Sequence, residues 1–160
     1  MENQSYIGLG SNLDDPRRQV TLAMERLDAL PELKIEARSS LYESPPMGPA
    51  NQADYVNAVV EVHTCLSPLA LLGQLSDLEE AFGRDRSVGH WGPRIIDLDI
   101  LLFANREIDL RRLKVPHPGL AEREFVVFPL LEIAPDLFLP NGRRLRDIAG
   151  ELDPKRVKKL

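Results

Sequence analysis

Two aspartates one residue apart, Asp97-Leu98-Asp99, lie inside the apolar run Ile95–Phe103. In a strand, residues two apart project from the same face. Both carboxylates therefore point one way, roughly 7 Å apart along the chain, with Ile96, Leu98, Ile100 and Leu102 expected on the opposite face. Two like charges held together on an apolar strand are costly unless something cationic lies between them. An oxygen-only pair suits Mg²⁺, which keeps several waters and shares its site with substrate phosphates. The plainer alternative is two carboxylates on a half-exposed strand, paired with arginines. Immediately upstream, Arg84, Arg86, His90, Trp91 and Arg94 fall within eleven residues that lead onto the acidic strand. Phosphoryl chemistry needs this combination, acids to hold cations and guanidinium forks to neutralise phosphate oxygens. Gly83, Gly89 and Gly92 would let such a loop open and close. A surface loop with chance arginines is the competing explanation.

Other motifs narrow the chemistry. No G-x-x-x-x-G-K-[ST] phosphate loop and no G-x-S-x-G nucleophile elbow occurs. Gly8-Leu9-Gly10 reads as a tight turn after a strand, where a ligand can approach closely. His117, between Pro116 and Pro118, is rigidly placed and able to donate to a phosphate, or is simply a loop histidine. Cys65, with no base beside it in sequence, is assigned no role.

The elements that must position these residues follow from periodicity. Tyr6–Gly10 reads as a strand, and Asp14 or Asp15 is expected to cap a helix opening at Pro16 with Val20, Ala23, Leu27 and Leu30 as its apolar stripe. Residues 34–41 alternate as a second strand. Ser44-Pro45-Pro46-Met47-Gly48-Pro49, with three prolines in six residues, is a stiff loop. A third strand is centred on Val56–Val62. Ser67-Pro68 opens a second helix whose apolar face is Leu71, Leu72, Leu75, Leu78 and Phe82, and Gly83 ends it. Ile95–Phe103 is the fourth strand. The order strand–helix–strand–strand–helix–strand is the split βαβ arrangement: an α+β, ferredoxin-like antiparallel sheet with two helices packed on one face. A C-terminal extension is expected to be part helical around Pro129, to turn at Pro140-Asn141-Gly142 and to end in a helix near residues 144–152, with the basic tail 154–160 as a peripheral, solvated end.

Length and charge set outer limits. At 160 residues and 18.0 kDa the chain is read as one domain spanning 1–160. Twenty Lys and Arg against 25 Asp and Glu leave a net charge of −5, which disfavours non-specific nucleic-acid binding. No apolar run reaches the ~18 residues of a membrane span, and the start lacks the pattern of a secretory signal. One cysteine can close no internal disulfide, so a cytoplasmic setting is expected.

The run Trp91-Gly92-Pro93-Arg94-Ile95-Ile96-Asp97-Leu98-Asp99-Ile100-Leu101 resembles the signature of the hydroxymethyl-dihydropterin pyrophosphokinase family of folate biosynthesis. Tyr6–Leu13, Ser44–Gly48, Asp54–Ala58, Val115–Pro118 and Phe128–Pro135 are similar to further family motifs, in family order, from about residue 5 to about residue 150. The resemblance implies transfer of the β,γ-pyrophosphoryl group of ATP to the hydroxymethyl oxygen of the reduced pterin, with AMP released and two Mg²⁺ ions used. It implies that Asp97 and Asp99 bind metal and that Arg84 and Arg94 assist transfer. Glu79, Arg86, Trp91, Arg112, His117 and Arg123 fall on the ATP side. Ser44, Pro45, Met47 and Asn57 bind the pterin, which Tyr55 and Phe125 sandwich. A flat bicyclic ring gains from such stacking, although on residue type alone core packing is the better reading of both aromatics. The expected partners are ATP and the pterin alone, with no nucleic acid and no membrane, for a monofunctional monomer.

Two other readings compete. One is a different two-metal nucleotidyl or phosphoryl transferase on the same kind of sheet, which would release pyrophosphate or ADP. The other is an RNA-binding module, which needs exposed aromatics and a basic face. The 6% aromatic content and net acidity speak against it.

Overall fold

The computed structural model describes residues 3–45, 53–83 and 95–160. Five strands make the frame: β1 (Asn3–Ser11), β2 (Leu33–Arg38), β3 (Tyr42–Ser44), β4 (Tyr55–Thr64) and β5 (Asp97–Phe103). All pairings are antiparallel, and the spatial order β5-β1-β4 continues to β2 and β3, which share the far edge of β4. This is the expected ferredoxin-like α+β order. Helices α1 (Pro16–Asp28) and α2 (Pro68–Ala81) cover one face. There Ile7, Leu9, Val60 and Val62 pack with Val20, Leu27, Leu71 and Leu75 in one buried cluster. Ser67 caps α2, its hydroxyl accepting from the Ala70 amide at 3.2 Å, and Gly83 follows it at φ 93°, a backbone setting that favours glycine.

The C-terminal extension covers the second face. After a two-stranded ribbon of β6 (Ile108–Asp109) and β7 (Lys114–Val115), α3 (Glu124–Ile133) and α4 (Leu145–Gly150) pack Val126, Val127, Leu130, Leu145 and Ile148 against Tyr6, Val59, Leu101 and Leu102. The sheet is therefore buried on both sides, which is why Val56–Val62 is almost continuously apolar rather than alternating. α3 runs unbroken through Pro129, although a proline offers no N–H to the Phe125 carbonyl one turn earlier. The expected turn at 140–142 is present: Phe138 bridges Arg144, and Gly142 sits at φ 87°. No helix among the described residues is long and apolar enough to cross a membrane.

Five local expectations are corrected. Gly8 and Gly10 do not form a turn; β1 stays extended through Ser11, because both have ladder partners on two sides. The 34–41 strand is broken at residues 39–41, where Ser39 substitutes for the ladder: its amide donates to the Val59 carbonyl and its hydroxyl accepts from the Val59 amide, each at 2.9 Å. Asp15 holds the α1 N-cap position at φ 66° without a side-chain capping bond. The alternation along β5 fails at its end: an irregularity opposite Tyr6/Ile7 puts Leu101 and Leu102 together in the second core, while Phe103 returns to the first. The basic tail, expected as a solvated end, adds an edge strand: β8 (Lys158–Lys159) pairs with β3, its two side chains exposed.

Candidate active site

Register places the acidic pair. Asp97 lies opposite Gly10, which lies opposite Asn57 on its other side; Asp99 lies opposite Gly8, which lies opposite Val59. Laterally paired residues share a face, and Val59 belongs to the second core, so both aspartates face the α3 side. The two glycines leave bare backbone between the aspartates and β4. A Cβ at Gly10 would stand 2.8 Å from Asn57 Oδ1, and one at Gly8 would stand 3.4 Å from the Leu101 side chain. Over this floor opens a cavity of about 180 Å³. Its walls carry Asp97 and Asp99, Ser44 and Pro45, Tyr55 and Asn57, and, from α3 and the residue preceding it, Arg123, Phe125 and Val126.

The walls are held by specific bonds. Asn57, only 5% exposed, donates from Nδ2 to Ser44 Oγ at 2.8 Å, which leaves Oδ1 beside Gly10. Burial pushes the Tyr55 phenol above its ordinary range, and the nearby Asp97 charge pushes it the same way. The Arg123 guanidinium lies 5.8 Å from the centre of the Phe125 ring, a cation–π distance. The Arg123 side chain crosses Gly119, where a Cβ would meet Nε at 2.5 Å, so any side chain there would make the guanidinium shift. His117 is fixed by its amide, which donates to the Leu101 carbonyl at 3.0 Å, and by Nδ1, which accepts from the Gly119 amide at 3.1 Å. In the neutral ring the proton is then on Nε2. Burial lowers the affinity of His117 for a second proton and Arg123 lowers it further, against the pull of Asp99.

The expected site residues divide four ways. Ser44, Pro45, Tyr55, Asn57, Asp97, Asp99, Arg123 and Phe125 meet in one cavity. His117 stands beside it, within electrostatic reach of Asp99 and Arg123. Glu79 and Arg112 do not line it. Glu79 Oε2 accepts the Leu98 amide at 2.9 Å, so it fixes β5 between the two aspartates from the α2 side, and Arg112 is exposed between β6 and β7. Met47, Arg84, Arg86, Trp91 and Arg94 lie outside the described residues. The sequence reading gave Leu101 and Val126 no place in the site. Nothing in an apolar residue marks it as pocket rather than core, and Leu101 reaches this face only through the irregularity in β5 opposite Tyr6/Ile7.

Among the described residues no group of three or more His, Cys, Asp or Glu could hold an ion as a closed protein cage. Two same-face carboxylates at the edge of an open cavity fit an ion that takes its remaining ligands from water and phosphate, which is Mg²⁺ chemistry.

The cavity thus brings together, on a ferredoxin-like sheet, a carboxylate pair, a bare glycine floor and a wall of aromatic and amide side chains. The model of the 7,8-dihydro-6-hydroxymethylpterin-pyrophosphokinase family matches residues 6–135. The chain belongs to that family. It is 45% identical over 160 residues to the 2-amino-4-hydroxy-6-hydroxymethyldihydropteridine pyrophosphokinase of Pseudomonas aeruginosa, covering 100% of this chain and 98% of that protein. It is 44% identical over 156 residues to the enzyme of the same name from Haemophilus influenzae, covering 98% and 97%. Among solved structures, the fused HPPK-DHPS of Plasmodium falciparum with pteroate superimposes at a TM-score of 0.78 over 98% of this chain, at 15% identity. That likeness concerns the fold, and this chain spans 45% of the fused protein's length.

Proposed function

We propose that this chain transfers the β,γ-pyrophosphoryl group of ATP to the hydroxymethyl oxygen of 6-hydroxymethyl-7,8-dihydropterin, giving AMP and the pterin diphosphate, a step in tetrahydrofolate biosynthesis. The observation that supports this most is the bare strip at Gly8 and Gly10, with Asp99 and Asp97 on one side and the oriented Asn57 amide on the other. A flat ring fits over such a floor between Tyr55 and Phe125. Its amide-like edge needs fixed donors and acceptors, and the Ser44-anchored Asn57 with the Pro45 wall supplies them. Met47, which lies outside the described residues, is assigned to pterin binding on the family resemblance.

In the transfer, the pterin oxygen bonds to the β-phosphorus of ATP. The bond from that phosphorus to the bridging α–β oxygen breaks, and its electron pair stays on the leaving AMP. The hydroxyl proton passes to solvent. Such a reaction asks for alignment and charge neutralisation more than for a strong base. We assign Asp97 and Asp99 as the holders of Mg²⁺, two ions in all, which when bound neutralise the triphosphate and fix its direction. Arg123 and the Nε2 proton of His117 reach phosphate oxygens on the same side, with Arg84 and Arg94 adding cationic charge as transfer proceeds. Arg86, Trp91 and Arg112 complete the nucleotide side. Glu79 acts there by holding β5. We take the active unit to be one domain over residues 1–160, a monomer in a reducing cytoplasm, a setting that the exposed, unpaired Cys65 supports.

The test is the identity of the nucleotide released. With ATP, Mg²⁺ and the reduced hydroxymethyl pterin, chromatography should show AMP appearing in step with the pterin diphosphate. ADP, or free pyrophosphate with a nucleotidylated product, would overturn the assignment in favour of another phosphoryl or nucleotidyl transferase.

A further inference from the structure

One wall of the cavity comes from the short strand β3 and another from α3, and one residue outside the cavity lining bonds the two sides together. Glu132, in the last turn of α3, accepts the Tyr42 hydroxyl at 2.6 Å, the Ser40 hydroxyl at 2.9 Å and the Ser40 amide at 3.1 Å. Burial raises the Glu132 carboxyl, but the bonds from Tyr42 and Ser40 and the nearby Lys159 outweigh it and hold the group below its ordinary range. Burial also pushes the Tyr42 phenol well up, and its bond to Glu132 adds to that. The Ser40 amide is available because the β2–β3 edge is broken there, with Ser39 meeting the ladder bonds of Val59.

Position along the elements makes this more than a fold contact. Tyr42 is the register partner of Asn57, in the same lateral row as Gly10 and Asp97. Two residues on, Ser44 is the group that anchors the Asn57 amide. At the other end of the same bond network, α3 carries Phe125 in its first turn. Apolar burial holds α3 against the sheet but is non-directional; a charged acceptor with three donors fixes both distance and angle.

Building on the pterin-site reading above, we infer that Glu132 is a positioning residue for the pterin slot, setting the spacing between the Asn57 wall on the sheet and the Phe125 wall on α3 through Tyr42 and Ser40. It touches no substrate, so its loss should read out on the pterin and not on the nucleotide.

Steady-state kinetics of the full chain, varying each substrate in turn, tests this on Glu132→Ala, Glu132→Gln and Tyr42→Phe. Loosening a slot by a fraction of an ångström costs affinity for the group it grips. Glu132→Ala should raise the pterin KM about tenfold and Tyr42→Phe about threefold, with ATP KM and kcat within about twofold. Glu132→Gln, which keeps an acceptor at the same reach, should recover most of the pterin KM. An unchanged pterin KM in folded Glu132→Ala overturns the inference, as does a parallel change in both KM values. If Glu132→Ala does not fold, Tyr42→Phe decides by the same criteria. A wild-type chain that forms no AMP overturns the underlying reading instead, so the two failures are distinct.

Discussion

Replacing Gly10 by alanine adds one carbon to the cavity floor, and the structure shows what that carbon meets. The new Cβ would lie 2.8 Å from Asn57 Oδ1, well inside the ~3.3 Å at which carbon and oxygen normally touch. Asn57 cannot step aside at little cost, because it is 5% exposed and its other amide atom is bonded to Ser44 at 2.8 Å. Turning it away breaks that bond and strands a buried hydroxyl, a loss of about 1–3 kcal/mol. For a domain of this size that lowers Tm by roughly 2–10 °C. The misdirected amide then forfeits about 1–2 kcal/mol toward the pterin edge, a rise in pterin KM of about fivefold to thirtyfold. ATP KM should move by less than about twofold, since no phosphate-side group is disturbed. The assay is the nucleotide-release reaction with pterin and ATP varied separately, beside a thermal melt of each protein. A folded Gly10→Ala enzyme with a wild-type pterin KM would refute the claim that Asn57 reads the substrate from across this floor.

Two further outcomes follow from the same geometry. Glu79→Ala removes the acceptor of the Leu98 amide and should cost about 1.5–3 kcal/mol of stability, read as a Tm loss with a fall in kcat, because the strand carrying both aspartates loosens; loss of ATP affinity at unchanged Tm would contradict this. Because Glu132 is held below the ordinary carboxylate range, its ionised bonds contribute above the unfolded value, near pH 4.3, and fade as pH falls through the lower folded value. The Tm gap between wild type and Glu132→Gln should therefore be widest near neutral pH and narrow below about pH 4, and a gap that widens on acidification would reverse the assignment.

Period-two logic was enough to place Asp97 and Asp99 on one face, and caps and prolines were enough to bound α2, because those signals are local. The lateral row Asp97–Gly10–Asn57–Tyr42 was not legible, since register between strands remote in sequence is decided by the packing of both faces at once. Two glycines near a strand end look alike whether they turn the chain or clear a floor, so Gly8 and Gly10 were read as a turn. The break at Ser39 was hidden because a serine hydroxyl replaces a ladder bond without altering the alternation around it. Tyr55 and Phe125 were placed by family resemblance, not by spacing; residue type alone could not separate a slot from a core. The role of Glu132 escaped for a similar reason: its partners Ser40 and Tyr42 are about ninety residues away.

The most direct trial of the whole account is the Mg²⁺ dependence of turnover in Asp97→Asn and Asp99→Asn, measured beside their thermal melts. Each variant should remain folded, with a Tm close to that of wild type, and each should lose nearly all turnover even at raised Mg²⁺. Wild-type turnover with an unchanged Mg²⁺ requirement, or a collapse in Tm, would make the two carboxylates structural and contradict the account.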